Sequence, residues 1–399
     1  MKNKNVNRRD FIRLSATAGA GALLVPNTAA ATATATVQSA NRETAFEIPV
    51  RTLGKTGLQI PILSMGVMRA DNPNIVRAAY SSGITHFDTA HGYQNGKNEE
   101  MLGNFFKDKP RDSFTIATKG KLDYPLKDTF EKDYTELLEL SLKRLQMDFV
   151  EIFYTHALER VEEVTDKRIV DLLLKFKADG KIKNIGLSTH ANKPELIDAA
   201  IETGIYDVIL VSYNFKLNNL KEMEEAIDRG VKAGIGFVAM KTMTGGAEDA
   251  EGKNRINGKA CLKWAWKNEN ITMAIPGFTN FDLLDDCMAA AKSPQLTAED
   301  KEYLAMLCGK ELLYCQQCGK CTDECAEHLP IPDLMRAYMY AYGYKNASLS
   351  KETLQSLTLA DDACKKCEKC KVSCISGFNV SEKIAAITPV RNIPDVFLT

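Results

Sequence analysis

Between residues 62 and 276 the chain alternates two patterns. Short, almost wholly apolar runs recur at 62–68, 86–90, 114–119, 150–156, 184–189, 208–214, 236–242 and 271–276. Runs of that length without polar alternation read as strands covered on both faces. Between them lie segments with apolar residues at helical spacing, among them 129–146, 164–179, 194–203 and 218–233. Eight strand-then-helix units predict a parallel sheet closed into a (β/α)8 TIM barrel. Residues 51–61, with Gly54 and Gly57 at turns, predict a small hairpin ahead of the first unit. The organisation expected is a leader and linker over 1–40, the barrel over 41–296, and a mainly helical domain over 297–399.

Composition changes this picture little. The chain is 45% hydrophobic, ample for a barrel core. Its net charge of -1 leaves no bulk attraction for nucleic acid. No uninterrupted apolar run reaches the roughly 20 residues of a membrane span. The N-terminus is distinctive. Asn7-Arg8-Arg9-Asp10-Phe11-Ile12-Arg13 precedes a weakly hydrophobic stretch from Leu14 to Val25 and a small-residue tract from Asn27 to Ala40. A basic start, a modest apolar middle and small residues predict a removable signal, cut near Ala31 or Ala40. The arginine pair with Phe11 resembles a twin-arginine signal, which engages the machinery that exports proteins already folded. An extracytoplasmic or periplasmic location follows; a disordered basic tail is the plainer alternative.

Chemistry concentrates where the strands end. The run His86-Phe87-Asp88-Thr89-Ala90-His91-Gly92-Tyr93 is a short strand that delivers Asp88 and then a turn that lifts Tyr93. A helix is expected next, opened by Asn98, Glu99 and Glu100, whose acids suit a helix N-terminus. The following strands end at Lys119 and His156. Parallel neighbours about 4.8 Å apart would bring Asp88, Tyr93, Lys119 and His156 to one rim, and barrel active sites lie at that C-terminal rim. The set suits proton delivery to a carbonyl: an adjacent ammonium is expected to favour the phenolate and ease proton release from Tyr93. Taken singly, Asp88 reads as a helix cap, Lys119 as a solvated strand end and His156 as a core histidine. Their order on consecutive strands favours a site. His86 reads as structural and His91 as a loop residue.

Phe87-Asp88-Thr89-Ala90-x-x-Tyr93, Thr118-Lys119, the strand ending at His156, and Gly180-Lys181-Ile182-Lys183-Asn184-Ile185-Gly186-Leu187-Ser188 together resemble the aldo-keto reductases, over about residues 51–291. The resemblance implies an oxidoreductase that interconverts a carbonyl and an alcohol with a nicotinamide cofactor. Tyr93 would be the general acid, Lys119 would lower its pKa, Asp88 would hold Lys119, and His156 would orient the substrate oxygen. Ser188 and Thr189 match the positions that contact the carboxamide, with Thr in place of the family's usual Asn. Tyr213 matches the aromatic that stacks on the nicotinamide, and Leu210 stands where a Gln is common. Lys241 and Thr242, with Gly245-Gly246, resemble the loop over the pyrophosphate. Beyond Gly277 the family usually carries a cation for the 2′-phosphate of NADP and an Asn for the adenine. Here stand Phe278-Thr279-Asn280-Phe281-Asp282, with Cys287 at the Asn position. That leaves NAD or NADP as the cofactor, with no cation to favour the 2′-phosphate.

The chain has 11 cysteines, too bunched for a disulfide framework, so metal ligation is the better reading. Cys315, Cys318, Cys321 and Cys325 have the spacing of a bacterial 4Fe-4S ferredoxin, and Cys364, Cys367, Cys370 and Cys374 repeat it. In two-cluster ferredoxins the fourth cysteine of each run ligates the other cluster. Cys374 would then join the first three, and Cys325 the second. Zinc is the alternative. The usual Pro after the fourth Cys is replaced by Ala326 and Ile375. The block resembles a ferredoxin-like tail found on one branch of the aldo-keto reductases. Cys261, Cys287 and Cys308 read as buried structural thiols.

A nicotinamide passes two electrons as hydride and a 4Fe-4S cluster takes one. Electron flow between them calls for a flavin, which no motif indicates, or for a redox protein partner. Two other readings stand beside electron transfer: clusters that mainly staple the tail, and a barrel that binds nucleotide without turnover. The loops over 122–125 and 245–258 carry no signature of the substrate.

Overall fold

The computed structural model describes residues 47–245, 256–308, 313–360, 362–365, 367 and 369–398. The expected leader and Gly246 lie outside them. Strand β1 (Val50–Thr52) pairs antiparallel with β2 (Gln59–Pro61), forming the expected hairpin. The barrel strands follow as β3 (Met65–Gly66), β4 (His86–Asp88), β5 (Thr115–Lys121), β6 (Val150–Leu158), β7 (Ile182–Thr189), β8 (Val208–Ser212), β9 (Gly236–Met240) and β10 (Ile271–Ala274). They lie parallel and in chain order. Bridges from Leu63 to Ala274 and from Gly66 to Gly277 bring the last strand round to the first. The first strand is shorter than the run 62–68 because this closure uses isolated bridges in place of a continuous ladder.

Side chains alternate across each strand, and this parity decides what faces the interior. Ala117, Ile152, Tyr154, Val208, Leu210, Val238 and Met273 point inward and pack together. Their neighbours Ile116, Phe153, Ile185, Leu187, Ile209, Val211 and Phe237 point outward into the layer beneath the helices. Gly186 makes room for the inner ring of Tyr154: a Cβ there would lie 2.4 Å from it. Leu53 and Ile60 of the hairpin join the inner cluster and plug the N-terminal end. Above Ala117 the same parity sets Lys119, and above Tyr154 it sets His156. The interior therefore turns from apolar to ionisable at the open end.

The expected helices form over Phe130–Leu145, Lys193–Thr203 and Leu220–Lys232. The segment 164–179 departs from expectation. It is two helices, Val161–Thr165 and Lys167–Ala178, divided at Asp166, whose carboxylate accepts from the Arg168 amide at 2.9 Å. An Asp able to cap a new helix overrides continuous apolar spacing.

Beyond the barrel, helices Ile331–Tyr342, Ala347–Gln355 and Val380–Ile387 build a second core around Leu334, Met335, Leu354 and Ile384. No strand follows Ala274 among the described residues. This core packs with the barrel as one unit from Phe46 onward. Asn214 donates to the Gln316 side chain at 2.8 Å, and Arg69 donates to the Tyr344 carbonyl at 3.0 Å. Gly319 takes φ +81 beside the barrel loop, where a Cβ would lie 2.2 Å from the Asn192 side-chain oxygen. Only glycine lets the first cysteine loop lie that close.

Leu53 is fully buried, so Leu53→Ala should open a cavity beneath the barrel and cost about 2–5 kcal/mol. A urea-unfolding midpoint equal to that of the wild type would contradict the plug.

Candidate active site

The strand ends bring the four rim residues together. Asp88 closes β4, and its carboxylate pairs with the Lys119 ammonium from β5. Both are almost wholly buried. Lys119 also donates to the Thr89 carbonyl at 2.6 Å. The ammonium lies 5.1 Å from the centre of the Tyr93 ring, and Tyr93 meets the His156 ring edge to face at 5.8 Å.

The loop bearing Tyr93 is tied down from below. Thr89 donates to Asn98 at 2.7 Å, and Asn98 donates to the Val67 carbonyl at 2.8 Å. Glu99 stands in the first turn of the helix Lys97–Phe106, as expected, and has a second role. It is buried, accepting from the Thr118 hydroxyl at 2.6 Å and from Arg144 at 3.3 Å. Arg144 in turn donates to the His91 carbonyl at 3.0 Å. These bonds cross from helix to strand to loop, so Tyr93 is held by the barrel wall as well as by its own turn.

Burial sets the electrostatics. It pushes the Asp88 carboxyl up and the Lys119 ammonium down, while each partner opposes the shift in the other. Tyr93 corrects an expectation. Its phenol is pushed up by burial and then by Asp88, and the opposing influence comes from Arg336 on the helix Ile331–Tyr342. The Lys119 charge is already engaged by Asp88 and the Thr89 carbonyl. Burial, then Lys119 and Arg336, hold His156 well below the usual imidazole range. The site thus presents a protonated phenol beside a neutral imidazole.

A cavity of about 520 Å³ opens above these groups. Asp88, Tyr93, Lys119 and His156 line it, as do Ser188, Lys241 and Gly277. Two expected cofactor contacts do not. Thr189 and Tyr213 fall on the outward parity of β7 and just past β8. The Thr189 hydroxyl donates to the Ala191 carbonyl at 2.6 Å. The Tyr213 hydroxyl donates to Glu224 at 2.9 Å, and its ring packs on Trp264 at 5.0 Å. Tyr213 therefore belongs to the layer beneath the helices and does not offer its face to a nicotinamide. For such a cofactor the donor set fits in part: Ser188, Lys241 and the Gly277 backbone face the cavity, without the stacking ring.

The cavity also holds groups that sequence reasoning missed. His190 follows Ser188 on the inward parity of β7, a signal present in the sequence. His91 faces the cavity as well and bonds Ser141 at 3.0 Å. Arg69 follows β3, while Arg336, Tyr340 and Tyr344 come from the C-terminal domain; no local motif marks them. Lys241 donates to the Tyr344 hydroxyl at 3.1 Å and lies 4.9 Å from the ring centres of Tyr340 and Tyr344.

The eight clustered cysteines line two further cavities. Cys315, Cys318, Cys321 and Cys374 surround one, and Cys325, Cys364, Cys367 and Cys370 the other. The fourth cysteine of each run thus sits with the other run. Among the described residues no three His, Cys, Asp or Glu are placed to hold a single metal ion. Four thiols around one cavity suit a thiolate-bound metal centre. Burial pushes the Cys315 thiol up to about 12, with Cys318, Cys321 and Cys374 adding to the rise. Such crowded thiolates want a cationic centre. Of the remaining cysteines, Cys261 and Cys287 are buried, but Cys308 is exposed, against expectation.

A parallel eight-stranded barrel with a phenol, ammonium, carboxylate and imidazole at its mouth defines a class of carbonyl-handling proteins, here joined to a cysteine-rich helical domain. Comparison with known proteins agrees. Residues 59–257 match the aldo/keto reductase family and residues 314–379 a 4Fe-4S dicluster domain. The chain thus carries an aldo/keto reductase domain, followed on its C-terminal side by the dicluster domain. It is 30% identical over 230 residues to L-glyceraldehyde 3-phosphate reductase of Escherichia coli, covering 52% of this chain and 65% of the relative. It is 23% identical over 299 residues to L-galactose dehydrogenase of Arabidopsis thaliana, covering 65% of this chain and 93% of that protein. The fold matches aldo-keto reductase AKR11C1 from Bacillus halodurans with a TM-score of 0.55 at 20% identity, over 65% of this chain and 96% of the other. The chain thus spans just under two thirds of the length of the first of these relatives.

Because its pKa is depressed, His156 should stay neutral as pH falls through 6.5. A histidine-selective ¹⁵N–¹H spectrum at pH 5.5 should show a neutral ring for His156; a midpoint near 6.5 would contradict the buried site.

Proposed function

We propose that the barrel is an oxidoreductase that interconverts a carbonyl and an alcohol by hydride transfer with a nicotinamide cofactor. The observation that carries this reading is the grouping of Tyr93, Lys119, Asp88 and His156 in one cavity at the ends of β4, β5 and β6. In the reduction direction the carbonyl oxygen gains negative charge as hydride arrives. Tyr93, held protonated by burial, supplies the proton there. His156, held neutral, offers a hydrogen bond that orients the oxygen without competing for the proton. Lys119 keeps a positive charge 5.1 Å from the centre of the Tyr93 ring, and Asp88 keeps the ammonium in place. Ser188, Lys241 and Gly277 would hold the nicotinamide cofactor, which supplies the hydride. Asp282, with no cation between 278 and 282, favours NAD over NADP. A small carbonyl or alcohol fits the cavity.

In the same proposal the two groups of four cysteines hold two 4Fe-4S clusters that pass single electrons, with a redox protein as partner. Support comes from the placement of the first group against the barrel. Lys193 donates to the His190 carbonyl at 3.1 Å, and the nearby Cys318 and Cys315 affect its ammonium. A mainly structural role is the second reading. It is favoured by Cys315, Cys321, Cys325, Cys364 and Cys374 packing directly on the C-terminal core. The Arg8-Arg9 leader supports export of the folded, loaded protein by the twin-arginine route.

Tyr93→Phe should lower kcat/KM for an aldehyde such as 4-nitrobenzaldehyde with NADH by at least about 100-fold, with nucleotide binding retained. Unchanged turnover would favour a barrel that binds without catalysis. Native mass spectrometry of protein recovered outside the cytoplasm of its host should show a shortened N-terminus, bound nucleotide and about eight iron atoms. Cys374→Ser should lower the iron count. A full-length chain confined to the cytoplasm would refute export; an iron-free chain would refute the clusters.

A further inference from the structure

The charge lining the catalytic cavity is lopsided. Lys119 is matched by Asp88. Among the described residues, Arg69, Lys121, Lys241 and Arg336 also line the space, and Glu352 is the one other carboxylate that does. Three of these cations are occupied or wet. Arg69 bonds the Tyr344 carbonyl, Lys241 lies against two tyrosine rings, and Lys121 is exposed.

Arg336 differs. It stands on helix Ile331–Tyr342 of the C-terminal domain, and its side chain is 7% exposed. One end of its guanidinium pairs with Asp333, one turn back on the same helix. The other terminal nitrogen, Nη1, is buried without a hydrogen-bond partner. A buried guanidinium nitrogen left unpaired is costly; Nη1 is enclosed by protein while the side chain lines the cavity, so a small shift of the fork toward the cavity would let an anionic partner relieve that cost. Glu159 is within electrostatic reach, but no ion pair joins the two, and Glu159 Oε1 is likewise buried without a partner. Inside the cavity Tyr93, His156, His190, Lys121 and Lys241 feel the Arg336 charge. Tyr93 and His156 among them belong to the catalytic end.

We propose that Arg336 binds a carboxylate on the substrate, so that the preferred substrates are carbonyl compounds or alcohols that also carry an acid group. This rests on the carbonyl–alcohol reading above and narrows it. Arg336 suits the task because its planar fork can hold Asp333 at one edge and a second carboxylate at another. The C-terminal domain then takes part in substrate recognition whatever its clusters do. The same chemistry would serve a phosphate of the cofactor, so the test separates the two anions.

The measurement uses anaerobically purified holoprotein and matched probes. Benzoate and benzyl alcohol are compared by calorimetry, benzaldehyde and 4-carboxybenzaldehyde by turnover with NADH. Wild type should bind benzoate and not benzyl alcohol, and should favour the carboxylated aldehyde at least about tenfold in kcat/KM. In Arg336→Met the benzoate affinity should fall by a similar factor, and the preference between the aldehydes should collapse toward one, mainly through KM. Arg336→Lys should recover part of both, and an unchanged circular dichroism spectrum of this milder variant separates recognition from misfolding. Benzoate binding that survives Arg336→Met, or an NADH affinity that falls while benzoate binding does not, would overturn the proposal. If neither aldehyde is turned over, the carbonyl reading fails, and the benzoate titration still decides whether Arg336 binds carboxylates.

Discussion

The ion pair between Lys119 and Asp88 is the constraint on which the open end of the barrel depends. Two charges removed from water are tolerable only while they face each other, and any hydrogen-bonding capacity left unmet adds to the cost. Lys119 is satisfied by Asp88 and the Thr89 carbonyl, whereas the second Asp88 oxygen is buried without a partner and relies on the ion pair alone. Those two partners sit at the end of β4, so the pair locks β4 to β5 just where the Tyr93 loop departs. Losing either member would leave a buried unpaired charge, which typically costs about 3–5 kcal/mol. The same pair orders the chemistry. It keeps the ammonium beside the phenol, where burial first, then Lys119 and Arg336, hold the imidazole of His156 neutral.

The C-terminal domain is part of this site rather than an appendage to it. Arg336, Tyr340, Tyr344 and Glu352 line the cavity that the barrel opens, and Tyr340 and Tyr344 cover Lys241. A roof of this kind restricts water and lowers the effective dielectric, strengthening each charge interaction beneath it. It also brings the first cysteine group against the barrel loop that follows β7, through Gly319 and Asn192. The cavity and the first cysteine group therefore meet in one folded unit.

Much of the fold was legible because eight apolar runs with helical spacing between them admit few architectures. The rim residues were legible for the same reason: strand parity and a common direction bring Asp88, Lys119 and His156 to one end. The same parity explains the failures. Thr189 and Tyr213 stand one residue from inward positions, and a one-residue step turns a side chain from cavity to outer layer. His190 was readable by that rule and was missed. Glu99 is the helix-start acid the sequence indicates, but its burial was not legible, because its partners Thr118 and Arg144 lie on other elements. Arg336 had no local signature at all, since its role exists only once the helical domain lies over the barrel.

The central claim is that the Lys119–Asp88 pair acts as one catalytic unit, and a double-mutant cycle in kcat/KM for aldehyde reduction tests it most directly. Asp88→Asn, Lys119→Met and the double variant are compared with wild type in a single assay. Residues that act as a unit are strongly non-additive, so the double variant should be no slower than the worse single variant. Losses that simply multiply would show that the two side chains act independently, and would contradict the account.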